Sequence, residues 1–135
     1  VKVQYLLDTD ICVFIARQRT PKVTGRFRTH QKGDLAISVI TYGELRVGAE
    51  KSDRYPEGLK ALEVFIEAVP VLALDPEVAR IYSRIRLDLE RRGQIIGSND
   101  LWIAAHCLQL GLTLVTNNER EFERIPDLRI ENWTQ

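Results

Sequence analysis

Methionine is absent from the chain, position 1 included, which leaves a removed initiator and a start codon read as Val1 as open explanations. Cysteine is scarce: Cys12 and Cys107 stand alone and far apart, too few for a disulfide framework or a zinc knuckle. They read as two buried free thiols in a reducing cytoplasm. Histidine is equally rare, with only His30 and His106, and a histidine metal site needs partners at ligand spacing. No apolar run reaches the roughly 18–20 residues that span a bilayer. The N-terminal stretch is too short, and meets Asp8 too soon, for a signal peptide. Neither charge sign is in excess, with 19 basic and 19 acidic residues, which argues against a polybasic binder. There is no G-x-S-x-G and no H-E-x-x-H, and Gly43 and Gly48 are followed by Ala49 where a phosphate loop needs Gly-Lys.

What is present is ordinary globular material. Of 135 residues, 44% are hydrophobic and 28% charged, which suits one domain over residues 1–135. Short apolar runs at Val1–Leu7, Leu35–Val39, Val71–Leu74, Leu112–Thr116 and Leu128–Ile130 read as strands buried on both faces. Between them lie helical patterns. Thr9–Ala16 and a segment opened by Thr20-Pro21 come first, then Ile40–Glu50 and Leu59–Val69. Asp75-Pro76 sets a cap before a first-turn proline and opens a helix ending near Gly93. Asn99–Leu110 follows, and Glu119–Arg124 gives one further turn. Alternating strands and helices predict an α/β fold, a parallel sheet with helices on both faces. In such sheets ligands bind beyond the C-terminal strand ends.

Carboxylates gather in just those places. Asp8 ends the first strand, Glu44 lies in the helix after the second, Asp100 opens the helix from Asn99, and Glu121 follows the last long strand. Taken singly, Asp8 and Asp100 also read as helix caps. Glu44 is harder to explain that way, because Tyr42, Leu45 and Val47 flank it and a half-buried carboxylate without a partner is costly. Converging carboxylates repel unless a cation holds them, and Mg²⁺ takes one or two carboxylates and keeps its waters. Such a site suits phosphodiester hydrolysis by metal-activated water. Basic residues cluster at 17–28 and 80–92, and Arg46 is the best-placed candidate near the cleft for RNA phosphates.

The stretches YLLDTDICVFI, ISVITYGELRVGAEKS and GQIIGSNDLWIAAHCLQLGLTLVTNNEREFERIPDLRIENW resemble the PIN domain. More narrowly they resemble the VapC-type ribonuclease toxins of bacterial toxin–antitoxin modules. The likeness runs from the first strand to Trp133. It implies a PIN-like fold and a cytoplasmic, Mg²⁺-dependent endoribonuclease, with Mn²⁺ as a substitute. It also implies a small cognate antitoxin and a homodimer. By that likeness Asp8, Glu44 and Asp100 match the family's metal-binding acids, with Asp8 and Asp100 the nearest ligands, and Thr116 and Asn118 match the edge of the site. Two positions depart from the pattern. Asp10 stands where the family has Asn or Ser, and Asn118 stands where it often has Asp, so Glu121 is the candidate replacement for the fourth acid.

Two other readings stay open. Asp8-Thr9-Asp10 also resembles the start of haloacid-dehalogenase-type phosphatases, with Asp8 as nucleophile, although no suitably placed Lys or later acidic pair follows. A non-enzymatic partner subunit is the other, against which the repelling carboxylates argue.

Overall fold

A computed structural model describes residues 2–30 and 33–135. The strands are β1 (Tyr5–Leu7), β2 (Leu35–Ser38), β3 (Val71–Leu72), β4 (Thr113–Val115) and β5 (Arg129–Glu131). The helices are α1 (Thr9–Arg17), α2 (Pro21–Thr29), α3 (Val39–Lys51), α4 (Tyr55–Ala68), α5 (Pro76–Arg91), α6 (Ser98–Leu110) and α7 (Glu119–Phe122). All strand pairs are parallel, in the order β3-β2-β1-β4-β5. Chain order thus reverses at β1, which opens a crevice between the C-terminal ends of β1 and β4.

Alternation along the short strands builds a core on each face. Leu6, Ala36 and Leu114 point to one side, against Leu89, Leu101 and Phe122 of the later helices. Leu7, Ile37 and Val115 point to the other, against Ile11, Val23 and Trp133. Trp133 is fully buried, and its indole N–H donates to Glu131 at 3.1 Å. His30 stacks on its ring at 4.9 Å and Arg26 lies 5.4 Å above it, so the chain end closes over β5 and α2. Among the described residues no helix is long and apolar enough to cross a membrane.

The strands are shorter than the apolar runs suggest. β1 begins at Tyr5 rather than Val1 (Val1 lies outside the described residues), and β3 keeps two residues of Val71–Leu74. A strand exists only where a neighbour offers ladder partners, and Tyr5↔Leu35 is the first pair that β1 finds. The stretch 52–58, read as a polar break, is already helical from Tyr55, with Pro56 in the first turn where its missing N–H is harmless. The expected cap at Asp75 accepts from the N–H groups of Glu77 and Val78.

His106 and Ser38 are both fully buried, with Nδ1 2.8 Å from Oγ. Ser38 also caps α3, its Oγ accepting from the Ile40 N–H at 3.1 Å. Burial holds the imidazole pKa below its usual value. Ser38→Ala removes the cap and leaves the buried Nδ1 without its partner, so it is expected to cost about 2 kcal/mol. Urea unfolding midpoints check this; an unchanged midpoint shows that neither contact contributes.

Candidate active site

Each candidate acid is set by the local chemistry of its helix start. Asp8 follows β1 and caps α1, its Oδ1 accepting from the Ile11 N–H at 2.9 Å. Its Oδ2 accepts from the Thr116 hydroxyl at 2.5 Å, and Thr116 itself accepts from the Asn118 N–H at 2.9 Å. The two strands at the crevice are thereby tied through Asp8. Glu44 projects from α3, with Oε1 accepting from the Thr9 hydroxyl at 2.5 Å and Oε2 from the Asn99 amide at 3.3 Å. Asp100, in the first turn of α6, is half-buried and meets no hydrogen-bond donor among the described residues.

These residues share one cavity. Asp8, Thr9, Asp10, Glu44, Asp100 and Asn118 line it over Phe122, and its volume is about 220 Å³. Its electrostatics follow from that geometry. Burial is the main reason Asp8 is raised to about 7; the bonds from Thr116 and Ile11 oppose it, and Asp10 and Asp100 add to it. Asp100 is raised to about 6, first by burial and then by the charges of Glu121, Glu44 and Asp10. Without a counter-charge Asp8 and Asp100 thus keep their protons to higher pH than ordinary carboxylates do.

The other sequence candidates lie around this centre. Thr116 is fully buried and supports Asp8 from behind. Glu121 does not line the cavity; it accepts from the Asn118 amide at 2.8 Å and reaches Asp100 through its charge. Arg46 lies off the cavity, held by Glu50 at 3.1 Å and by the Tyr42 hydroxyl at 3.3 Å. Sequence reasoning missed Thr9 and Asn99, although both adjoin candidate acids.

The donor set decides which cofactor fits. Every polar atom offered to the cavity by the acids is oxygen, which suits a hard divalent cation rather than a soft metal. Among the described residues no three His, Cys, Asp or Glu side chains draw close enough to enclose an ion by themselves.

The PIN domain profile matches residues 5–128. The chain is 41% identical to "Ribonuclease VapC2" of Haemophilus influenzae over 131 residues, covering 96% of this chain and 98% of that protein. It is 40% identical to the "tRNA(fMet)-specific endonuclease VapC" of Shigella flexneri, covering 97% and 98%. Among solved structures, DNA-bound VapBC from Salmonella typhimurium superposes with a TM-score of 0.91 at 40% identity, covering 97% of this chain and 98% of that one. VapBC2 from Rickettsia felis, bound to a promoter DNA fragment, gives 0.90 at 36% identity, covering 97% and 99%. With acids at the crevice of a β3-β2-β1-β4-β5 sheet and likeness of this extent along the whole chain, the protein belongs to the PIN-domain family and, within it, to the VapC ribonuclease toxins.

Proposed function

We propose that this ribonuclease cleaves RNA with Mg²⁺ held at the carboxylate cavity, Mn²⁺ serving in its place, as the toxin of a module whose small cognate antitoxin silences it. The observation that carries the reading is Asp100, a half-buried carboxylate that meets no donor among the described residues and is raised to about 6 by burial and by the charges of Glu121, Glu44 and Asp10. An arrangement so costly without a cation is explained by one. When bound, the ion would stabilise negative charge on the phosphoryl oxygen and lower the pKa of a water, so that hydroxide would be available to attack phosphorus.

The chain's own residues then have distinct tasks. Asp8, fixed by Ile11 and Thr116, and Asp100 are the residues that would hold the ion. Glu44 keeps a third negative charge at the cavity wall. Asn118 lines the opposite wall with a neutral amide, and Glu121 orients that amide while adding negative charge beside Asp100. The Shigella relative's name makes a tRNA the first RNA to try.

A groove of about 230 Å³ lies between α1, α3 and α4. Its walls include Cys12, Ala16, Leu45, Leu62 and Phe65. An apolar antitoxin helix suits it, with an Arg or Lys reaching the acids. The homodimer rests on family resemblance, and the free buried thiols Cys12 and Cys107 favour the cytoplasm. The phosphatase and scaffold readings have no observation in their favour.

Purified chain incubated with tRNA is expected to cut only with Mg²⁺ or Mn²⁺ and to stop in chelator. Glu121→Gln is expected to slow cutting at least about tenfold, on the order of 1.4 kcal/mol of transition-state stabilisation. If Glu121→Gln cuts at the wild-type rate while Asn118→Ala is inactive, Glu121 has no part in the site.

A further inference from the structure

The two oxygens of Glu44 are held by two different helices. Oε1 takes a hydrogen bond from Thr9, the first residue of α1, which also carries Asp10 and is capped by Asp8. Oε2 takes one from Asn99, the residue before Asp100 on α6. Thr41, one turn before Glu44 on α3, lies 3.2 Å from the same Thr9 hydroxyl and steadies it. The carboxylate of α3 therefore joins the helix starts that bear the other acids, across chain separations of 35 and 55 residues. Asp8 is fixed by bonds close to its own strand ends, whereas Asp100 meets no donor among the described residues. The placement of Asp100 relative to Asp8 thus depends on contacts made by its neighbours, and Asn99, beside it on α6, makes the bond to Glu44 of α3.

We propose that Thr9 and Asn99 are positioning residues that use Glu44 as a bridge between α1 and α6, setting the spacing of Asp8 and Asp100 for the ion. A carboxylate has about four lone-pair positions, so one donor on each oxygen fixes its orientation and still leaves room for water or an ion's hydration shell. Neither donor carries charge, so the bridge orients the acids without neutralising them. In this arrangement Glu44 would act by placing the helix starts that bear the other acids, and Asp8 and Asp100 would hold the ion. The inference rests on the metal-dependent ribonuclease reading above.

Charge reversal of the bridge gives the sharpest test. Glu44→Gln leaves an oxygen for Thr9 and turns an amide donor toward Asn99, whose amide must flip to present its Oδ1, while the charge of the bridge is lost. Adding Asn99→Asp gives a donor–acceptor pair of opposite polarity and restores the original net charge. RNA cleavage kinetics and Mn²⁺ binding by calorimetry are measured for Thr9→Val, Asn99→Ala, Glu44→Gln and the Glu44→Gln, Asn99→Asp double variant. Thr9→Val and Asn99→Ala are expected to lower kcat about tenfold and weaken Mn²⁺ binding about threefold, with KM for RNA within about twofold, because neither residue contacts RNA in this account. Glu44→Gln is expected to lose more, and the double variant to recover most of the Mn²⁺ affinity and kcat that it lost. Wild-type kcat and Mn²⁺ affinity in both single neutral variants overturn the proposal, as does a double variant no better than Glu44→Gln. Should the wild-type chain cut no RNA, the ribonuclease reading fails, while Mn²⁺ affinity across the four variants still reports whether the bridge spaces the acids.

Discussion

Asp100→Asn is expected to lower RNA cleavage at saturating Mg²⁺ by at least about a thousandfold, on the order of 4 kcal/mol of transition-state stabilisation, while the protein stays folded. The substitution keeps the side chain's shape but removes a charge and adds donor hydrogens. At most positions a lost carboxylate orphans a hydrogen-bond donor; at Asp100 there is none to orphan among the described residues. Burial and the charges of Glu121, Glu44 and Asp10 already work against its ionised form. The neutral amide therefore relieves repulsion in the metal-free fold and removes an oxygen anion from the ion. Cleavage within about tenfold of wild type, read from single-turnover kinetics, refutes the role given to Asp100. Asp8→Asn is expected to be as inactive, for the same loss of charge.

Metal-free stability is expected to fall as pH rises through neutrality, the reverse of the usual effect of a salt-bridged acid. Asp8 has an ordinary value of 3.8 and stands at about 7 in the fold, where it is 5% exposed. The folded state therefore keeps a proton that the unfolded chain has released. This contribution is complete below the unfolded value and disappears as pH climbs through the folded one. Between about pH 5.5 and 8 the loss from Asp8 amounts to about 2 kcal/mol. Asp100, raised to about 6, adds to it with the same sign over a lower window. Urea midpoints in chelator across this range measure the slope. Asp8→Asn should flatten it, and Mg²⁺ should oppose it by favouring the ionised acids. A wild-type midpoint that climbs steadily from pH 5.5 to 8 in chelator contradicts the burial assigned to Asp8.

Much of the site could be read in the sequence because strand ends leave a clear signal. Asp8 interrupts an apolar run, and the parallel topology brings Thr116 beside it, so the pairing of β1 with β4 places both. Asp75-Pro76 announces α5 through local cap chemistry alone. What depends on distant partners could not be read. Strand lengths follow ladder contacts, so β3 ends at Leu72 although its apolar run continues to Leu74. The contacts of Thr9 and Asn99 with Glu44 arise only when α1, α3 and α6 converge. Glu121 shows the limit of helical spacing as a guide. One turn of helix brings Asn118 and Phe122 to the cavity and leaves Glu121 bonded behind the Asn118 amide. Nor does any local pattern announce the seating of Trp133 against His30, Arg26 and Glu131.

The central claim is that the acid cavity cuts RNA through a divalent cation held by Asp8 and Asp100. The most direct measurement titrates Mg²⁺ into metal-free protein by calorimetry and follows tRNA cleavage at the same Mg²⁺ concentrations, for wild type and Asp100→Asn. Binding and cleavage are predicted to half-saturate together in the wild type and to be lost together in Asp100→Asn; cleavage that persists in excess chelator contradicts the account.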